Sequence, residues 1–173
     1  LGRRRVGGRL VRRRCAGRRD LNGGIRPGVL RAAAGRGELF VIAADESDGS
    51  FLHYQTAVAL ITNVDADHLD HYGSLEAFEN EFAKFGQQAS EFVAISADDP
   101  GAQRVTKLMK DKRVIRFGYH PEADVTIQDV DASGAQVSFS LVYHGEKFSA
   151  KLLVPGEHNA INAAGAFAVL VGL

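Results

Sequence analysis

Short apolar runs and helix-like periodicity divide the chain into elements. Runs that are typical of buried strands cover 57–61, 92–95 and 114–117. Segments with helical spacing lie between them, at 74–86 and 98–110. This order of strand, helix, strand, helix, strand predicts a mainly parallel sheet flanked by helices. Another apolar run, 38–42, is predicted to form a central strand followed by a polar loop.

The first of these helices shows clear start and packing signals. Ser74 is a good N-cap, because its hydroxyl can accept a hydrogen bond from a free backbone N–H, and Gly86 is predicted to stop the helix. An apolar stripe at helical spacing predicts packing in the core, and it consists of Leu75, Phe78, Phe82 and Phe85.

From residue 123 onward, apolar and polar residues alternate. Three such segments, 125–130, 135–143 and 147–154, are joined by turn-like links and predict a small antiparallel meander that forms an edge or a cover of the sheet. An alanine-rich helix, 160–170, follows the meander.

Polar side chains concentrate directly after the apolar run that ends at Ile61. Three aspartates and two histidines occur there: Asp65, Asp67, His68, Asp70 and His71. Such groups bind divalent cations or transfer protons, and open α/β sheets bind ligands at the carboxyl ends of their strands. The segment therefore predicts a phosphate and metal site. A solvated loop, in which aspartates cap backbone N–H groups, is the alternative interpretation.

Two further segments have a similar character. Asp45 and Glu46 belong to an acidic loop after the apolar run 38–42, and residues 155–164 contain a helix start. A helix start exposes backbone N–H groups and therefore suits a phosphate or a polar ring. Asn159 and Asn162 are predicted to share a face of that helix. Loop solvation and helix capping explain both segments without a ligand.

The formal net charge of zero conceals two kinds of sequence. Residues 1–37 hold 12 of the 21 basic residues, all arginine, and one acidic residue. A basic arm that binds a polyanion is one interpretation. We favour a reading-frame error or a degraded gene start, since the segment has too little periodic apolar content to fold. We therefore expect a disordered or frame-shifted segment at 1–37, a folded domain at 38–173, and no nucleic-acid partner.

Other features narrow the class of protein. No apolar run reaches membrane-spanning length and no signal peptide is present, so we predict a cytoplasmic protein without membrane association. The single cysteine, Cys15, excludes a disulfide within this chain.

Three segments, in this order and with these gaps, resemble the central domain of the Mur ligases, the ATP-dependent amino-acid ligases of peptidoglycan synthesis. They are the Asp-Glu-Ser-Asp loop at 45–48, the Asp-His-Leu-Asp segment at 67–70, and residues 155–164. The resemblance covers about residues 37–173 and is greatest for the alanine-adding branch. It implies an incomplete sheet of the P-loop NTPase type, with ATP and Mg²⁺ as cofactors.

The resemblance also implies a reaction and roles for particular residues. In the intact family the carboxylate of UDP-N-acetylmuramate attacks the γ-phosphate of ATP, and the amino group of L-alanine then displaces phosphate from the acyl phosphate. His68 is the implied Mg²⁺ ligand, and Asp67 could orient it. Asp45 and Glu46 complete the implied catalytic set.

The implied nucleotide contacts lie near the end of the chain. His158, Asn159 and Asn162 match the segment that meets ATP in this family, where asparagine amides can both donate and accept hydrogen bonds. The chain departs from the family at Ala43, where a glutamate that binds magnesium is usual.

A phosphate-binding loop of the form Gly-x-x-x-x-Gly-Lys-Ser/Thr is absent from the sequence. In the family that loop lies ahead of this region, and a domain that binds the amino acid lies beyond Leu173. We therefore expect a ligase fragment that is inactive alone. The alternatives are a ligase that reattaches a recycled peptide to UDP-N-acetylmuramate, a non-catalytic remnant, and a polyanion-binding protein.

Overall fold

The computed structural model describes residues 39–65 and 69–173, together with the backbone of 31–32. The strands are β1 (Arg31–Ala32), β2 (Ile42–Ala43), β3 (Val58–Ile61), β4 (Phe92–Ser96), β5 (Val114–Gly118), β6 (Val125–Asp131), β7 (Val137–Tyr143) and β8 (Glu146–Leu152). The α-helices are α1 (Leu69–Tyr72), α2 (Leu75–Gln88), α3 (Pro100–Leu108) and α4 (His158–Gly172), and a 3-10 helix covers Ser50–His53.

Six of these strands form one mixed sheet in the order β3-β4-β5-β6-β7-β8. Strands β3 to β6 are parallel to one another, and the pairs β6/β7 and β7/β8 are antiparallel. The predicted mainly parallel sheet and the predicted meander are both confirmed. The meander extends the parallel strands within the same sheet and supplies one of its edges.

Helices cover both faces of this sheet, and β4 shows why. Its five residues are all buried, and the first four alternate between two hydrophobic clusters. Val93 and Ile95 pack with α2 and α3, whereas Phe92 and Ala94 pack with α4. Because successive side chains of a strand point to opposite faces, a run that is apolar throughout requires cover on both sides.

The starts of α2 and α3 follow the sequence signals. The Ser74 hydroxyl accepts a hydrogen bond from Ala77 N at 3.1 Å, and Pro100 opens α3 directly after its N-cap. The predicted stop at Gly86 is wrong, since α2 continues to Gln88. Gly86 is instead a contact point, because a Cβ there would lie 2.3 Å from Met109 Sδ.

The predicted central strand at 38–42 is also wrong. Among the described residues of that run, which begin at 39, the strand is confined to Ile42–Ala43, and it pairs with β1 in a separate two-stranded antiparallel sheet. The side chains of Leu39, Phe40 and Val41 are exposed. An apolar run indicates that a segment can be buried, but it does not specify which strand it pairs with.

Two further expectations concern membrane association and the first 37 residues. Within the described ranges, no helix is long and apolar enough to cross a membrane. The expectation of a disordered or frame-shifted segment at 1–37 lies outside the described residues, apart from the backbone of β1.

Candidate functional site

The carboxyl ends of β3 and β4 are held together by one aspartate. Asp99 Oδ1 accepts hydrogen bonds from Val64 N at 2.9 Å, just beyond β3, and from Ala102 N at 2.7 Å, in the first turn of α3. Gly101 allows this approach, because a Cβ on it would lie 1.9 Å from Val64 O. Asp99 therefore serves both as a helix cap and as a link between two strand ends.

The neighbouring aspartate links β4 to β5. Asp98 Oδ2 and Oδ1 accept hydrogen bonds from Tyr119 N and His120 N respectively, both at 2.8 Å. Gly118 lies directly before them with φ of 144°, and a Cβ on it would lie 2.2 Å from Asp98 Oδ2. This carboxylate therefore requires a glycine at the end of β5.

The acidic loop at 45–50 is organised largely by its own residues. Asp45 Oδ1 accepts a hydrogen bond from Ser47 N at 2.9 Å, and Asp48 Oδ1 accepts one from Ser50 N at 2.9 Å. Both aspartates are exposed. The side-chain and backbone hydrogen bonds from Ser50 lower the pKa of Asp48, so this carboxylate stays ionised at neutral pH.

The acidic loop also packs against α1. The Tyr72 hydroxyl donates a hydrogen bond to the carbonyl oxygen of Glu46, and the rings of Tyr72 and His71 meet edge to face at 4.7 Å. Helix α1 begins directly after Asp67 and His68, which themselves lie outside the described residues. The loop with Asp45 and Glu46 is thus anchored to the helix that follows the predicted metal ligand.

The predicted nucleotide segment lies at the start of α4. Asn159 Nδ2 donates to Pro155 O at 2.7 Å and lies 3.1 Å from His158 Nε2. His158 and Asn162 are both exposed, so their side chains are open to a ligand. Gly156, with φ of 99°, turns the chain into the helix.

Tyr119, directly after β5, lies near the start of α4. Burial, together with the nearby Glu157 carboxylate, raises the pKa of Tyr119 well above its ordinary value. Its hydroxyl therefore remains neutral at physiological pH.

These residues form two groups along the carboxyl edge of the sheet. The acidic loop and α1 bring together Asp45, Glu46 and the helix next to His68, and β5 brings Tyr119 to the start of α4. The sequence predicted roles for Asp45, Glu46 and the start of α4, but it did not indicate Tyr119 or the links between strand ends. Asp98 and Asp99 carried a signal, because they follow an apolar run as the other two acidic segments do.

The donor groups fit Mg²⁺ by their chemistry. Magnesium prefers oxygen ligands and usually keeps several waters, so that one or two carboxylates together with substrate phosphates suffice. Asp45 and Glu46 supply such carboxylates, while Ala43, exposed in β2, supplies none. In the described part of the chain, which excludes Asp67 and His68, no three histidine, cysteine or acidic side chains cluster as a metal site.

Comparison with known proteins identifies relatives of this domain. The family described as "Mur ligase middle domain" matches residues 38–170. A UDP-N-acetylmuramate--L-alanine ligase of Clavibacter sepedonicus is 60% identical over 154 residues, which are 88% of this chain and 32% of the relative. This matched segment is longer than the range 38–173, so it includes part of the first 37 residues. The division of the chain at residue 37 stays a prediction.

Solved structures share the fold. A UDP-N-acetylmuramate:L-alanyl-gamma-D-glutamyl-meso-diaminopimelate ligase of Neisseria meningitides has a TM-score of 0.63 and 22% identity, over 75% of this chain and 41% of that one. The MurF ligase of Thermotoga maritima in complex with ADP has a TM-score of 0.51 and 19% identity, over 68% of this chain and 27% of that one. The chain spans 32% of the length of the curated relatives it matches first.

Proposed function

The chain belongs to the Mur ligase family through its middle domain, and we propose that it is part of a ligase that joins L-alanine to UDP-N-acetylmuramate with ATP and Mg²⁺. The observation that carries the proposal is the 60% identity, over 88% of the chain, to a UDP-N-acetylmuramate--L-alanine ligase. We place this reaction in peptidoglycan synthesis in the cytoplasm.

The acidic loop and the segment before α1 are proposed to form the metal side of the site. The His68 imidazole would hold Mg²⁺ and Asp67 would orient that ring, with Asp45 and Glu46 as nearby carboxylates. When bound, Mg²⁺ offsets negative charge on the transferred phosphoryl group. The contact between Glu46 O and the Tyr72 hydroxyl supports this grouping, since it holds the loop beside α1.

The start of α4 is proposed to form the nucleotide side. His158, Asn159 and Asn162 lie within its first turns, where the positive end of the helix dipole and amide side chains suit a nucleotide. The hydrogen bond from Asn159 Nδ2 to Pro155 O supports the proposal, because it fixes the orientation of this amide before a ligand arrives.

We propose that this polypeptide alone is inactive. Its sequence has no Gly-x-x-x-x-Gly-Lys-Ser/Thr loop to surround the phosphates, and Ala43 lacks the carboxylate that the family resemblance implies. Incubation with ATP, Mg²⁺, UDP-N-acetylmuramate and L-alanine should yield no UDP-N-acetylmuramoyl-L-alanine above background. Turnover on the order of 1 per second, typical of ordinary enzymes, would contradict this expectation.

A chimera tests the proposed roles. Residues 38–173 replace the matching segment of the intact Clavibacter sepedonicus ligase, and turnover is measured across a Mg²⁺ titration. We expect a weak enzyme that Ala43→Glu improves. In the improved chimera, His68→Ala should lower turnover by about 10-fold or more and raise the Mg²⁺ concentration required.

The matched control is His71→Ala in the same chimera. This ring packs against Tyr72, so its loss removes packing near the site without removing the proposed ligand. Its effect should be smaller and independent of Mg²⁺ concentration. If His68→Ala and His71→Ala have equal, Mg²⁺-independent effects, the metal assignment is wrong.

A further inference from the structure

The carbonyl oxygen of Glu46 is held both from within the acidic loop and from outside it. It accepts a hydrogen bond from Gly49 N at 3.2 Å, which closes a turn inside the loop. It also accepts one from the Tyr72 hydroxyl, which belongs to a residue 26 positions further along the chain, at the end of α1. The loop backbone at Glu46 is therefore tied to α1 by a side-chain donor.

The position of that donor is set by aromatic packing. The Tyr72 ring is half-buried and meets the Phe78 ring edge to face, with the ring centroids 5.0 Å apart. Phe78 is buried in the core, and its ring meets that of Phe82 at 5.0 Å. Because close-packed rings leave Tyr72 little freedom to move, its hydroxyl is presented to Glu46 at a defined place.

The same aromatic cluster holds the other end of the loop. Phe51 directly follows the loop and is 2% exposed, and its ring lies 5.2 Å from each of the rings of Phe82 and Phe85. The acidic loop is thus fixed at two places by side chains that pack together, at Glu46 by the Tyr72 hydroxyl and at its end by Phe51.

The fixed backbone carries the carboxylates of the proposed metal side. Asp45 and Glu46 are adjacent, so a change in the peptide backbone at Glu46 would redirect both side chains. The Asp45 carbonyl oxygen is also bonded within the loop, by Ser50 Oγ at 3.4 Å. Magnesium demands near-ideal octahedral geometry, so a loop that is ordered before the ion arrives binds it at a lower entropic cost.

We propose that Tyr72 is a positioning residue which, through the Glu46 carbonyl oxygen, holds the acidic loop in the conformation in which Asp45 and Glu46 receive Mg²⁺. This inference rests on the proposed function, because the ion is the Mg²⁺ of that reaction. Tyr72 acts through the loop backbone and is assigned no contact with the ion or the substrate.

The test uses the complete 173-residue chain, labelled with ¹⁵N, and two readouts. The first is the hydrogen exchange of the Gly49 amide without Mg²⁺, because this amide shares its acceptor with the Tyr72 hydroxyl. The second is the affinity for Mg²⁺, taken from the amide shifts of Ser47 and Ser50. The variant is Tyr72→Phe, which removes the hydroxyl and keeps the ring, and Tyr143→Phe in β7 is the matched control.

We expect Tyr72→Phe to accelerate exchange of the Gly49 amide and to weaken Mg²⁺ binding, each by about 5-fold, the factor that corresponds to one ordinary hydrogen bond. The ring still packs against Phe78, so Tm should fall by no more than about 4 °C. Replacement of Tyr72 by para-aminophenylalanine supplies an N–H donor at the same place and should restore most of both readouts. Tyr143→Phe should change neither.

Other outcomes would overturn the inference in different ways. If Tyr72→Phe leaves the exchange unchanged, the hydroxyl does not hold the loop and the inference is wrong. If exchange accelerates but the Mg²⁺ affinity does not change, the hydrogen bond has a structural role only, and the positioning role is wrong. If the unmodified chain gives no Mg²⁺-dependent shifts in the acidic loop, the metal side of the proposed function fails and the positioning role fails with it, while accelerated exchange would still support the contact between Tyr72 and the loop.

Discussion

The acidic loop at 45–50 and the pair Asp98–Asp99 both follow apolar runs, yet their carboxylates have different partners. Asp45 and Asp48 accept hydrogen bonds from serines two residues further along the same loop. Asp98 and Asp99 accept backbone hydrogen bonds from residues that follow other strands, at 2.8 to 2.9 Å. Asp45 and Asp48 are exposed, whereas Asp98 and Asp99 are half-buried.

This difference separates two uses of aspartate at the carboxyl edge of a sheet. A carboxylate that receives several backbone N–H groups stabilises the junction between strand ends, and its loss leaves donors without partners. An exposed carboxylate that accepts a backbone hydrogen bond from its own loop contributes less to stability. We therefore expect substitutions at Asp98, Asp99 and the glycines beside them to lower stability, and substitutions in the acidic loop to affect ligands.

The largest effect is expected at Gly101, which lies against the Asp99 junction. Gly101→Ala places a Cβ 1.9 Å from Val64 O in the present geometry, so the backbone of β3 or α3 must move. We expect a loss of about 3 kcal/mol in the free energy of unfolding, measured by urea denaturation. Gly134→Ala is the control, since nothing lies within 4 Å of its Cβ position. Equal stability of the two variants would contradict the close contact.

The next effect is expected at Asp99. Asp99→Ala removes the cap of α3 and the acceptor of Val64 N, and it should destabilise the domain by about 2 kcal/mol. Asp45→Ala, in the exposed loop, should cost less than about 1 kcal/mol. Thermal unfolding followed by circular dichroism compares the two. A larger loss of stability for Asp45→Ala than for Asp99→Ala would contradict the different roles assigned to these two aspartates.

Mg²⁺ should affect the acidic loop more than the residues around Asp98, which is the reverse of the order expected for stability. Addition of Mg²⁺ to the ¹⁵N-labelled chain should shift the amides of Ser47 and Ser50, because the neighbouring carboxylates offer oxygen ligands. The Tyr119 amide, whose acceptor Asp98 belongs to the other junction, should shift little. Asp45→Ala should reduce the shifts in the acidic loop. If Mg²⁺ shifts the Tyr119 amide more than the serine amides, Asp98 and not Asp45 belongs to the metal side.

The smallest effect concerns the titration of Asp48. Hydrogen bonds from Ser50 lower its pKa in the folded protein, so its contribution to stability is present above the pKa of the unfolded chain. That contribution is lost as pH falls through the lowered folded-state pKa. Carboxyl ¹³C spectra should show a midpoint below the ordinary aspartate range, and Ser50→Ala should move it upward. The Asp131 midpoint, lowered by Ser133, should not respond to Ser50→Ala.

The sequence alone determined the main elements and most of their order. The apolar runs at 92–95 and 114–117 became β4 and β5, and alternation after residue 123 predicted the antiparallel β6, β7 and β8. These elements could be predicted because side-chain periodicity depends only on local backbone geometry. The family could also be inferred, since three short motifs with fixed gaps carry more information than any one of them.

The tertiary structure decided which groups meet. It paired Ile42–Ala43 with β1 and not with the main sheet. It also gave Asp98 and Asp99 donors from 21 and 35 residues away in the chain. Strand pairing and long-range hydrogen bonds depend on which residues lie close together after folding. Local periodicity does not specify which distant residues these are.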